Sequence, residues 1–202
     1  MKKVLFIIDA QNDFCHPDGK LNCEGSETAV GNICKLLEKA KPDVVICSYD
    51  IHREGYLATN EGLHLPVEHC MDGEWGSFQN KCVYDAMYVY DGHSWRIDKR
   101  TFMIEDSEID DVFNAEERLR DYEDCCEIYI CGFATDICVL NNALMLKRHF
   151  SDTCEIFLVE DCCAGTTREM HGKAVDIMKV NHINITESDE VIGQSSGVFT
   201  IS

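Results

Sequence analysis

Residues 4–8 read VLFII, apolar at every position, and are followed by Asp9. A strand with one wet face alternates apolar and polar residues, so an unbroken run has to be covered on both faces, as in the centre of a parallel sheet. Residues 44–47, 127–131 and 155–159 are further short, mostly apolar and β-branched runs, each read as a buried strand. Residues 28–40 place Ala29, Ile33, Leu36, Leu37 and Ala40 at helical spacing, with Pro42 as the stop. A strand is expected at 94–98, a weaker helix that takes in 116–122, a helix over 167–179 and a short strand at 183–185. This alternation predicts an α/β fold, a mostly parallel central sheet with helices on both faces. At about 150 residues per domain, 202 residues without a linker or internal repeat predict a single domain over 1–202.

Eighteen basic residues against 37 acidic ones leave a formal charge of −19, which argues against nucleic acid or an anionic membrane as a partner. Thirteen cysteines raise the question of redox compartment. The apolar stretch before Asp9 is shorter than a signal peptide needs, and no run is long enough to span a bilayer. A cytoplasmic protein with reduced thiols is expected. No C-x-x-C occurs, so neither a zinc ribbon nor a thioredoxin-like motif is indicated. Cys34, Cys47 and Cys154 read as small buried apolar residues, whereas the pairs Cys125-Cys126 and Cys162-Cys163 have no evident role.

Ligand sites in open α/β sheets lie beyond the carboxyl ends of the strands, and the polar residues there carry the chemistry of this chain. Asp9 ends the first run, where a carboxylate is costly to bury unpaired; Asp13, close by, reads equally well as a loop former. Asp50 and His52 stand two apart on an extended segment, on one side of the chain. The irregular stretch 53–79 adds Glu61, His64, Glu68 and His69, a nitrogen and oxygen donor set suited to Zn²⁺, Fe²⁺ or Mn²⁺. Lys99 ends the strand at 94–98, and near a thiol and a carboxylate an ammonium would stabilise both anions.

Residues 131–140 enter as a strand, turn at Gly132 and leave as a helix, with Thr135 or Asp136 as the cap. Cys138 is thereby expected in the first helical turn, its pKa lowered by the helix dipole and its oxyanion held by free N–H groups. That arrangement suits acyl transfer. Any one of thirteen cysteines is more often a packing residue than a nucleophile; Asp9 and Lys99, ending other strands, single out Cys138.

Three stretches in order, residues 7–15 (IIDAQNDFC), Lys99 with its Arg-rich flank, and residues 132–139 (GFATDICV), resemble the isochorismatase-like cysteine hydrolases, within them the nicotinamidase (pyrazinamidase) branch. The resemblance implies a three-layer fold, a catalytic triad of Asp9, Lys99 and Cys138, a cis peptide between Phe133 and Ala134, and an oxyanion hole from the amides of Ala134 and Cys138. It implies a divalent metal, zinc first with iron or manganese as alternatives, on Asp50, His52, His69 and a fourth ligand. Ala58 stands where many members carry that histidine, so Glu61 is the expected replacement, with His64 as the alternative. Phe14, Leu65 and Phe133 are the implied pocket walls, Leu65 standing where an aromatic residue is common. The implied reaction converts nicotinamide, a small-molecule amide, into nicotinic acid and ammonia through a thioester, a step of NAD salvage. A monomer and a homo-oligomer both remain open. Competing readings are a metal-independent amidase of the same family acting on a carbamoyl or ureido compound, isochorismatase chemistry on an enol ether, and a non-catalytic metal- or redox-responsive module.

Overall fold

The structure, a computed structural model, describes residues 2–119, 126–150 and 153–195. Six strands, β1 (Lys2–Ile8), β2 (Val44–Asp50), β3 (His93–Lys99), β4 (Cys126–Phe133), β5 (Cys154–Ala164) and β6 (Asn184–Thr186), form one sheet in the order β3-β2-β1-β4-β5-β6. Every neighbouring pair is parallel. The unbroken apolar runs take the inner positions, and every residue of β2 is buried. Edge strand β3 alternates towards its end, burying Ile97 and Lys99 and exposing Arg96 and Asp98.

Among the described residues eight α-helices accompany the sheet: α1 (Asn12–Cys15), α2 (Ser26–Ala40), α3 (Asn60–His64), α4 (Lys81–Val89), α5 (Asp106–Ala115), α6 (Leu140–His149), α7 (Arg168–Val180) and α8 (Ser188–Ser195). Helix α2 packs with α4, α8 and strand β5, while α6 and α7 pack together and against β5. Helix α2 buries Ala29, Ile33, Leu36, Leu37 and Ala40, the stripe its spacing predicts. Helix α7 is capped by Thr167, whose side chain accepts from the Met170 N–H.

Several boundaries differ from the sequence reading. Strands β2 and β5 run past their apolar runs, to Asp50 and to Ala164. Helices α4 and α5 lie outside the elements expected from sequence: α4 buries Val83 and little else, and α5 buries Ile109, Val112 and Phe113 within a strongly acidic run. The stretch 53–79 contains α3 and two short 3₁₀ turns. Within the expected helix at 116–122 the described residues form a 3₁₀ turn at Glu117–Leu119; residues 120–122 lie outside the described residues, as does Cys125.

Two backbone positions shape the carboxyl edge of the sheet. Asp9 has φ 47°, a left-handed conformation that Asp tolerates better than most residues, and so breaks β1 where its carboxylate is needed. Gly132 has φ 124°, and a Cβ there would stand 2.0 Å from the Ile8 carbonyl oxygen, so β1 and β4 approach as only glycine allows.

Candidate active site and metal centre

Four adjacent strands deliver the polar residues to one edge: β1 is followed directly by Asp9, β2 ends at Asp50, β3 at Lys99, and β4 leads into the turn that carries Cys138. All four side chains are buried. Lys99 Nζ lies 2.7 Å from Asp9 Oδ2 and 3.6 Å from both Cys138 Sγ and Asp50 Oδ1, and donates to the Thr101 carbonyl at 3.1 Å. The Ser48 hydroxyl donates to Asp9 Oδ1 at 2.7 Å. Burial opposes charge on Lys99, but Asp9, Cys138 and Asp50 outweigh it and hold the ammonium above its usual pKa. Burial pushes Asp9 up, with Lys99 opposing.

The turn that carries Cys138 differs from expectation in two ways. Thr135–Val139 is a single π-type turn entered from Ala134, without a side-chain cap, and α6 begins only at Leu140. Burial moves the Cys138 thiol well above its usual pKa; Lys99 opposes this, and Asp9 and Asp50 add to it. The expected downward shift is therefore reversed, because burial and two carboxylates outweigh one ammonium and the turn dipole. The Phe133–Ala134 peptide is cis, as the resemblance implies.

Beside this triad, one donor atom each from Asp50, His52, Glu61 and His69 lie within 4.8 Å of one another. The chain reaches this arrangement by doubling back. The His52 N–H donates to the Cys70 carbonyl at 3.0 Å and the Asp72 N–H to the His52 carbonyl at 2.8 Å, which sets His69 beside His52. Asp13 braces the return by accepting from the Cys70 N–H at 2.7 Å, the loop-forming role open to it from sequence. Gln11 holds Asp50 through both backbone groups, accepting from its N–H at 2.7 Å and donating to its carbonyl at 2.8 Å.

The four donors fit a divalent cation. His69 Nδ1 is 2.8 Å from the Val67 carbonyl, so Nδ1 carries the proton and Nε2 presents a lone pair, 3.3 Å from Asp50 Oδ2. Buried His52 Nε2 lies 3.0 Å from the same oxygen but has no aligned hydrogen bond among the described residues, the orientation of a ligand rather than of a donor. Glu61 Oε1 is 3.5 Å from His52 Nε2 and receives the Tyr56 hydroxyl at 3.3 Å. His64, the alternative fourth ligand, is outside the cluster, its Nδ1 2.8 Å from the Asn60 carbonyl. Two imidazoles and two carboxylates suit Zn²⁺, Fe²⁺ or Mn²⁺.

A cavity of about 240 Å³ adjoins both groups, with Asp50, His69, Ala134 and Cys138 in its wall. Phe14 and Leu65 line it as expected, and Phe14 packs edge-on to His69 at 5.6 Å. Phe133 does not line it; its ring is fully buried in the core. Leu21, Asn22, Cys23, Phe102, Ile137 and Thr166 complete the wall, none of them marked by spacing. Ser48 carries a usable signal, since residues 48 and 50 share one face of β2.

The isochorismatase domain family matches residues 3–190. The chain is 26% identical to the nicotinamidase of Schizosaccharomyces pombe over 95% of its own length and 96% of the relative's. Its fold is similar to the nicotinamidase/pyrazinamidase of Bacillus subtilis, with a TM-score of 0.74 and 23% identity over 93% of this chain and 100% of the other. It is also similar to the pyrazinamidase of Pyrococcus horikoshii solved in complex with zinc, with a TM-score of 0.70 and 23% identity over 93% and 99% of the two chains. On a match that spans nearly its whole length, the chain belongs to the isochorismatase family.

Proposed function

We propose that this chain is a single-domain amidohydrolase that converts nicotinamide to nicotinic acid and ammonia, with Asp9, Lys99 and Cys138 as its catalytic residues. The observation that carries this reading is the contact of a buried Asp–Lys–Cys triad with a four-donor metal cluster through Asp50, at the wall of one apolar, ring-sized cavity. The nicotinamidase relative supports the substrate. The pair Asp50 and His52 favours this reading over a metal-independent amidase.

In the resting site the raised thiol keeps its proton, so attack needs a base. Asp9 takes the proton from Cys138 as sulfur bonds to the carboxamide carbon. The amides of Ala134 and Cys138 hold the oxyanion. Collapse breaks the C–N bond; Asp9 returns the proton to the departing nitrogen, and ammonia leaves a thioester. Asp9 then takes a proton from water as its oxygen adds to the thioester carbon. Sulfur leaves, recovers the proton from Asp9, and nicotinic acid departs. Lys99 keeps Asp9 aligned and balances the charge that passes between oxygen and sulfur. A cation held by Asp50, His52, Glu61 and His69, zinc in our reading, supplies a Lewis acid for the pyridine nitrogen.

Ammonia release from nicotinamide tests the proposal. Wild-type protein should release it and Cys138→Ala should not; activity surviving that substitution would refute the nucleophile. The twelve described cysteines are free thiols, which supports a reducing compartment such as the cytoplasm. No described helix is long and apolar enough to cross a membrane.

A further inference from the structure

The turn bearing Ala134 and Cys138 lacks a side-chain cap of its own, yet its first two residues are tied firmly to the segment entering α7. Thr135, fully buried, shares a 2.9 Å hydrogen bond between its hydroxyl and His171 Nδ1. Asp136 accepts from the Thr166 N–H at 2.8 Å and the Thr166 hydroxyl at 2.6 Å. Gly165 lies between Asp136 and the first turn of α7, where a Cβ would meet Asp136 Oδ1 at 2.8 Å and the His171 backbone nitrogen at 2.9 Å. On its other side His171 faces Glu160, with Nε2 3.7 Å from Oε1. A carboxylate on that side favours the proton on Nε2, leaving Nδ1 to accept from the Thr135 hydroxyl.

We propose that His171 is a positioning residue for the reaction: through the Thr135 hydroxyl it fixes the Ala134–Thr135 backbone, so that the Ala134 amide is held where the oxyanion forms. The inference rests on the function proposed above. His171 is absent from the wall of the cavity, so it acts through Thr135 and touches no substrate. An oxyanion donor accelerates the reaction only when its direction is fixed before charge develops. Loosening it should therefore weaken the transition state and leave the bound amide unaffected.

Steady-state kinetics on nicotinamide, with folded and metal-loaded protein quantified, test this. Removing a whole oxyanion donor costs about 100- to 1,000-fold in kcat, and loosening one should cost about tenfold, so His171→Ala is expected to lose that much kcat with KM within about twofold. His171→Asn, which keeps an acceptor for the hydroxyl, should recover most of the loss. Thr135→Val should reproduce it, and His171→Ala combined with Thr135→Val should be no worse than either alone, because both remove one link. An aldehyde that adds to Cys138, pyridine-3-carbaldehyde, should bind His171→Ala about tenfold more weakly, while nicotinic acid binds equally well. Unchanged kcat, equal losses in aldehyde and acid binding, or additive single effects would overturn the assignment. Thr135→Val carries the test alone if His171→Ala fails to fold. If nicotinamide is inert, the function proposed above fails, and the fastest amide of a panel takes its place in the same comparison. Wild-type protein that hydrolyses no amide overturns both.

Discussion

At the residue scale, Asp50 decides how the two halves of the site communicate. Its Oδ2 faces His52 and His69 while its Oδ1 faces Lys99, so one carboxylate touches both the proposed metal donors and the proposed triad. Burial opposes its charge, but the close approach of the His52 and His69 imidazoles and the field of Lys99 outweigh it and hold the carboxyl well below its usual range. The fourth donor is the residue on which sequence left two candidates. Glu61 lies in the cluster and His64 turns to a backbone carbonyl. Glu61→Ala should therefore lower the metal content of purified protein severalfold, and His64→Ala should leave it unchanged, as read by elemental analysis. Equal metal loss from both variants would reject Glu61 as the distinguishing ligand.

Among the elements, β3 and the turn after α5 are joined by one buried carboxylate. Glu116 receives the Trp95 indole N–H at 3.0 Å and the Arg118 N–H at 3.1 Å, and lies 2.9 Å from His93 Nδ1. Burial disfavours its charge, but these donors win and lower its pKa. A carboxyl lowered in the folded state adds stability that is present above its unfolded pKa, about 4.3, and is lost as pH falls through the folded value. Urea midpoints of the wild type should thus decline below about pH 4, and Glu116→Gln should remove this contribution while costing about 1–3 kcal/mol at neutral pH. A variant as stable as wild type at pH 7 would discount the joint.

The close approach of β1 and β4 is the second device at this scale. Because Gly132 combines φ 124° with a forbidden Cβ position, Gly132→Ala should destabilise by at least about 2 kcal/mol and displace Asp9 from Cys138. Thermal denaturation and nicotinamide turnover measure the two effects separately. A variant with wild-type Tm would show that the strands can separate freely.

Over the whole molecule, formal charge and metal are linked. The site gathers Asp9, Asp50 and Glu61 in a protein that already carries −19. A cation that binds the folded state alone stabilises it by about 2.7 kcal/mol at a hundred times its dissociation constant. Chelation should accordingly lower Tm by several degrees, and adding Zn²⁺ back should restore it, independently of activity. An unchanged Tm on full removal of metal would count against a resident ion.

Much of this architecture was legible because burial leaves a local signature. Residues 4–8 carry the unbroken apolar pattern of a doubly covered strand, the stripe from Ala29 to Ala40 fits one helical face, and polar residues after apolar runs mark the carboxyl edge. Local pattern falls silent where contacts are few or distant. Helix α4 buries Val83 and little else, so it leaves almost no apolar period to read. Walls such as Cys23, Phe102 and Ile137 meet across the cavity from segments far apart in the chain. The thiol of Cys138 was misjudged for the same reason: its pKa follows from burial and from Asp9 and Asp50, which are remote in the chain. Sequence alone determined the strands, the alternation and the residue types at each strand end, since those depend on near neighbours. Strand order, which brings Asp9, Asp50, Lys99 and Cys138 to one edge, and the electrostatics that follow were decided by tertiary structure, because side-chain separation and exclusion of water exist only after the chain has packed.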